Sequence, residues 1–377
     1  MKKKNLLLYL IVFLASTVFL LSSCSTNIEN NNDSIENKQS RQSVLSNIVD
    51  NLILPSHDNL LEELNSLKSE IEIFNGEVNY LNLSSVRKGY RDSYNAWQYV
   101  ELYNIGKSEE INYVLRSNTY PCNKTIINSN IELEINDLSA DNFLSYASQG
   151  FPAIDYILYG LDQDTNKIID EFLSSDGQKI LDYLIILTDT LIENTQLVTQ
   201  YWNNNRDLFI NNNGNSATSS MSKLINDFIY YYEKGFRANK IGIPAGVYSN
   251  STLPQNVEAK FASNLSKRLS LSSLSSIEKF FKGESFISSN INGESISSHL
   301  LYLDATNQVL IDEILIVIEK SRVSISNLDD DFAFQVINDN YKMLETFDVI
   351  QECVPLMKVD MMSALNISVD YVDADGD

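Results

Sequence analysis

The sequence predicts an all-α protein of two helical bundles, and three observations carry that prediction. Apolar residues recur at three- and four-residue steps through most of the chain, the helical period. The strict alternation of a half-buried strand is scarce. A single stretch rich in asparagine, glycine and serine, residues 203–220, breaks the pattern near its middle. The chain has 377 residues and is 44% hydrophobic, enough for more than one packed core. Its 50 acidic and 28 basic residues give a formal net charge of −22, which repels phosphate backbones and excludes nucleic acid as a partner.

The elements follow in order. Residues 1–23 read as a secretory signal: three lysines, an apolar run from Leu6 to Leu21 too short to span a bilayer, then small residues. Leu21, Ser22, Ser23 and Cys24 match the lipobox of bacterial lipoproteins, so Cys24 is the expected acylation site and lipid the expected membrane anchor. The expected location is the cell envelope, at the outer membrane of a Gram-negative bacterium. Residues 24–42 are polar and read as a flexible tether.

The first bundle is expected over residues 43–210. Residues 43–55 and 57–74 read as two amphipathic helices interrupted at Pro55, with Ser56 or Asp58 as cap of the second. Residues 85–106 form another helix, on which Arg87, Tyr90, Tyr94, Trp97 and Glu101 follow one another along a single face. Residues 177–202, apolar around much of their circumference, belong at the centre of the bundle. The second bundle, residues 211–377, takes in helical patterns at 221–236, 262–282, 300–321 and 332–365 and ends in an acidic tail. Cys122 and Cys353 are far apart in a chain without a cysteine scaffold and read as two lone thiols.

Several segments together resemble the imelysin family of bacterial surface and periplasmic proteins: NIVDNLILPSHDNLLEEL, YRDSYNAWQYVELYNIG, QGFPAIDYILYG, KIGIPAGVYSNSTLPQNVEAKF and the terminal PLMKVDMMSALNISVDYVDADGD. They occur in the family's order. The resemblance implies two helical bundles, a link to iron uptake with partner proteins of that process, and a place among metallopeptidases with iron or another divalent cation as cofactor. The family signature, G-x-H-x-x-E, falls on Gly150, Pro152 and Asp155. The glycine is kept, the histidine has become proline, and the glutamate has shortened to aspartate. Proline offers no ligand atom, so the reading leans toward a non-catalytic protein that binds a ligand or partner; a metallopeptidase with a divergent site is the alternative.

Asp155 stands at the edge of the apolar face formed by Phe151, Ile154 and Leu158, where a carboxylate needs a partner. A backbone N–H, an arginine or a tyrosine hydroxyl would serve, as would a cation or ligand group. Glu101 raises the same question: it could pair with Arg87 or Arg91, or converge with Asp155 as a two-carboxylate site for a hard cation. Gly150, Pro152, Asp155, Glu101, Arg91, Trp97 and Lys240 are therefore the candidate site, with Asp155 and Glu101 as candidate metal ligands. Lys240 opens KIGIPAG, which reads as a rigid inter-helix loop and, as the resemblance implies, borders the cleft between bundles. Neither histidine belongs to an H-E-x-x-H helix; His57 is expected near the surface and His299 packed against the segment it precedes.

Overall fold

The structure, a computed structural model, describes residues 33–288 and 290–370. The signal segment, Cys24 and the acidic residues 371–377 lie outside the described residues. From Glu36 onward the chain packs as one compact unit. It is all-α: no strand occurs among the described residues, only an isolated bridge between Glu284 and Asn292.

Helix α1 (Ile35–Ile48) begins ahead of the expected start, so residues 35–42 of the segment read as tether are helical. It does not stop at Pro55. A π turn, Val49–Ile53, closed by the Leu54 N–H on the Val49 carbonyl, carries it into α2 (Leu54–Gly76). Proline has no N–H to give the carbonyl four residues back. That carbonyl, on Asn51, instead accepts the Phe286 N–H at 2.8 Å. The expected interruption is thus absorbed by one wide turn and a bond from a distant segment. Ser56 caps nothing; its hydroxyl turns back to the Ile53 carbonyl. His57 is fully buried rather than near the surface. Its Nδ1 lies 2.8 Å from the Ile53 carbonyl, and burial pushes its pKa down to about 4.

Helix α3 (Tyr80–Trp97) is capped by Asn79, whose side chain accepts the Asn82 N–H. It lies against α2 with the backbone of Leu67 so near Gly89 that a Cβ there would stand 3.1 Å from the Leu67 Cα. It ends at Trp97, earlier than expected, and Glu101 follows in a tight turn. The short α4 (Gly150–Asp155) carries the signature and runs into a π turn, Tyr156–Gly160. Helix α5 (Gly177–Asn211) packs on α2 and α4 and extends into the stretch read as linker, which starts only after Asn211. Its buried threonines 188, 195 and 199 satisfy their hydroxyls on carbonyls one turn back.

After the break come α6 (Ser220–Tyr230), a π-helical segment Tyr231–Gly242, α7 (Ser266–Lys282), α8 (Gln308–Ser326) and α9 (Asn340–Gln351). Here α8 packs against α7 and α9, and α9 against the π segment. The KIGIPAG stretch is helical through Ala245, not a loop, and turns only at Gly246. His299 is buried as expected, with Nδ1 2.8 Å from the Ser40 hydroxyl and its ring stacked on Tyr302. Cys122 and Cys353 are free thiols.

Candidate functional site

The signature glycine has a mechanical task. Gly150 adopts φ +71°, a conformation L side chains rarely take, and a Cβ on it would stand 2.2 Å from the Ser117 carbonyl oxygen. Only glycine lets α4 start this close to the preceding segment. Proline at 152 fits the first turn of the helix, where no intrahelical N–H is needed. The last residue of the helix, Asp155, is 1% exposed and forms no ion pair among the described residues, although Lys260 acts on it at longer range. Its two oxygens accept the backbone N–H groups of Phe261 and Ala262, at 2.8 and 2.9 Å. Burial nonetheless pushes its pKa up to about 7, against the pull of those amides.

Glu101 is satisfied differently. Its Oε1 accepts the Asn118 side-chain amide at 2.8 Å and its Oε2 the Tyr231 hydroxyl at 3.2 Å. Lys240 Nζ stands 3.4 Å from Glu101 Oε2 and 2.7 Å from Glu258 Oε2, and donates to Gln98 Oε1 at 2.7 Å. Asn118 also bonds Glu258, at 2.9 Å, and Ser273 on α7 completes Gln98. Lys240 is 1% exposed. Burial alone would lower its pKa, but the two carboxylates outweigh that and hold it above its ordinary value. An ammonium thus occupies the position between two acids where a bound cation would sit.

Glu101 and Asp155 therefore do not meet. Arg87 and Arg91 are not partners of Glu101 either: Arg87 bonds the Leu158 carbonyl and Thr165, and Arg91 bonds the Tyr159 hydroxyl. Trp97 is a core residue packed on Tyr113 and Phe151. One loop joins the two acids indirectly, since Glu258 enters the ion network while Phe261 and Ala262 bind Asp155. Between them Ala259 holds φ +53° while 2% exposed, a strained conformation of the kind that collects at functional sites.

Two cavities open on this arrangement and share Tyr120. The larger, about 380 Å³, has Glu101, Asp227 and Lys234 among aromatic and aliphatic residues that include Phe143, Tyr230, Tyr231 and Ile243. Asp227 Oδ2 accepts the Asn104 N–H at 2.8 Å. Burial pushes its pKa up to about 8. The smaller, about 190 Å³, holds Pro152, Asp155, Cys122, Lys124 and Phe261. Burial, and then the charge of Asp155, push the Cys122 thiol up to about 12. Among the described residues no three His, Cys, Asp or Glu side chains are grouped so as to hold a metal ion. With proline at 152, both Asp155 oxygens committed to amides and Lys240 between Glu101 and Glu258, these residues do not fit a resident metal. Glu258, Asp227, Tyr120 and Cys122 were missed in the sequence. Glu258 had a weak signal, an acid between the apolar Val257 and Ala259, whereas nothing near Asp227 or Cys122 in the chain marks them.

The comparisons agree with this architecture. The Imelysin family profile matches residues 53–346, and the chain belongs to that family. Two solved structures share the fold. An imelysin-like protein from Psychrobacter arcticum is 17% identical, with a TM-score of 0.68 over 89% of this chain and 98% of its own. A protein from Parabacteroides distasonis, described as a candidate iron-regulated protein A precursor, is 14% identical, with a TM-score of 0.68 over 87% of this chain and 95% of its own. No curated protein matches the sequence.

Proposed function

We propose that this imelysin-family protein is a non-catalytic envelope lipoprotein, anchored through Cys24, that binds a small ligand in the cavity between Glu101 and Asp227 as part of iron acquisition. The iron link rests on the family and on the description of the Parabacteroides distasonis relative. The observation that carries the binding role is the construction of the larger cavity. Its floor is a charge network already satisfied by Lys240, so it needs no metal to be stable, while its wall is aromatic and aliphatic. Such a chamber suits a ligand with an apolar body and a cationic or hydrogen-donating head. Asp227 is the acceptor for that head: one oxygen takes the Asn104 amide, and no hydrogen bond to the other is seen among the described residues. No helix among the described residues is long and apolar enough to cross a membrane.

Metal analysis of the full-length protein in neutral detergent, run beside a peptide-library digest, tests the reading. Substoichiometric metal and no cleavage are expected. Stoichiometric zinc or iron together with cleavage would overturn it in favour of a metallopeptidase.

A further inference from the structure

A third cavity, about 400 Å³, lies away from both of these and is basic. Arg87, Lys88 and Arg91 reach it from α3, Arg268 from α7, and Tyr159 from the π turn after Asp155. Four cations thus share one opening on a chain that carries 22 more acidic than basic residues. A solvated surface of such a protein would give each arginine a carboxylate. Here one acid lining the cavity, Asp92, pairs with two of the four, at 2.7 Å from Lys88 and 3.4 Å from Arg268, while Glu63 and Glu70 act on Lys88, and Glu63 on Arg268, only at longer range.

The other two pair with no carboxylate among the described residues. Arg87 and Arg91 both lie over the ring of Tyr159, with guanidinium carbons 4.5 and 5.7 Å from its centroid. Arg87 directs its nitrogens to the Leu158 carbonyl, at 3.0 and 2.7 Å, and to Thr165, at 3.2 Å. Arg91 uses only Nε, at 3.1 Å on the Tyr159 hydroxyl; neither terminal nitrogen bonds any described residue. Two guanidinium groups held against one aromatic ring repel each other. They cost stability unless an anion joins them, and a planar fork of donors matches a tetrahedral or planar oxyanion in two-point contact.

We propose that this cavity is a binding site for a small phosphate-type oxyanion, with Arg91 as the direct ligand, Lys88 and Arg268 as secondary cations, and Arg87 as a fixed source of positive charge. Tyr159 holds the two arginines at their spacing. The site is independent of the cavity above Glu101, so loss of either leaves the other reading standing.

Calorimetry of the full-length protein in neutral detergent, with pyrophosphate as probe and potassium chloride at matched ionic strength as control, tests the site. Saturable pyrophosphate binding is expected, weakened about tenfold or more in Arg91→Gln and also reduced in Lys88→Gln, whose exposed side chain does not threaten folding. Lys320→Gln, in an exposed pair with Glu352 elsewhere, should leave it unchanged. Cosedimentation with phosphatidic-acid vesicles, blocked by free pyrophosphate, would identify a lipid headgroup as the source of the phosphate. Saturable binding without cosedimentation identifies a free ligand. Absence of saturable binding, or equal affinity in wild type and both cavity variants, overturns the proposal.

Discussion

Glu101 and Asp155 are two inward acids less than sixty residues apart in the same group of helices, and the fold satisfies them by opposite means. Glu101 sits beside a buried lysine that comes from the second half of the chain, with Glu258 on the other side of that lysine. Asp155 is held chiefly by two backbone amides, with smaller pulls from Tyr90 and the charge of Lys260. Amides carry partial charge and offset only part of what burial takes away, so the Asp155 proton is held up to about pH 7. A full countercharge changes the energetics in kind. It makes the Glu101 network stable as a set and intolerant of losing one member, whereas Asp155 can relieve its own cost by taking up a proton.

The comparison breaks most visibly at Lys240. Lys240→Met keeps the length and removes the charge, leaving two acids buried with no cation. Removing one partner of a buried pair costs about 3–5 kcal/mol, and chemical denaturation should show a loss of that size. Adding Glu258→Gln to Lys240→Met should restore part of it. If the single change costs under about 1 kcal/mol, the lysine is not the group that neutralises the network.

Gly150→Ala attacks the other acid through its backbone. The left-handed conformation alone costs an alanine about 1–2 kcal/mol, and the added methyl would meet the Ser117 carbonyl besides. A loss above about 2 kcal/mol is expected in thermal or urea unfolding. An unchanged midpoint would show that α4 can start without its glycine.

Asp155→Asn sharpens the contrast, because its effect depends on pH. One of the two amides would face a side-chain NH₂ in place of an oxygen, a loss of about 1–3 kcal/mol. The wild-type acid has a folded pKa near 7 and an ordinary unfolded value near 4. Between those values the folded state keeps a proton that the unfolded state has lost, so its contribution to stability falls as pH rises through that window, by about 4 kcal/mol at the limit. Asparagine has no such slope. The variant should therefore be most inferior to wild type near pH 4, less so near pH 5, and approach it near pH 8. Asp227, also raised, is common to both proteins and cancels in the difference. A gap that widens toward pH 8 would mean that Asp155 is stabilised as a carboxylate.

Helical periodicity made the fold readable, since spacing of Leu60, Leu64, Leu67 and Ile71 is a local property and all four are fully buried. Individual acids facing inward were readable on the same ground. Their partners were not. Lys240 was drawn into the candidate site only by its neighbourhood in KIGIPAG, and nothing local says that it reaches Glu101. Pro55 misled for a related reason: proline breaks a helix by leaving a carbonyl without a donor, and the Phe286 amide that receives it is more than two hundred residues away. His57 followed that error, because a residue placed at a false helix start was expected near solvent.

The smallest expected effect belongs to the signature position itself. Pro152→His restores the family histidine in a helix that tolerates the change, since Pro152 lies in its first turn and supplies no bond that histidine would lose. Glu101 cannot assist, because Lys240 and Asn118 hold it in another network. Cys122 can: it lines the same small cavity as Pro152 and Asp155, so the substitution would bring an imidazole, a thiol and a carboxylate to one chamber, the donor set zinc prefers. Against this stand the two amides on Asp155 and a thiol whose pKa of about 12 resists the deprotonation that binding requires. The balance predicts a modest gain, with zinc affinity about tenfold above wild type and increasing with pH, worth about 1.4 kcal/mol. Zinc titration of wild type, Pro152→His and Pro152→His with Cys122→Ser decides it. An unchanged affinity in the first variant would mean that the loop from Glu258 to Ala262 has closed the position to metal, and an equal gain in both variants would remove Cys122 from the site.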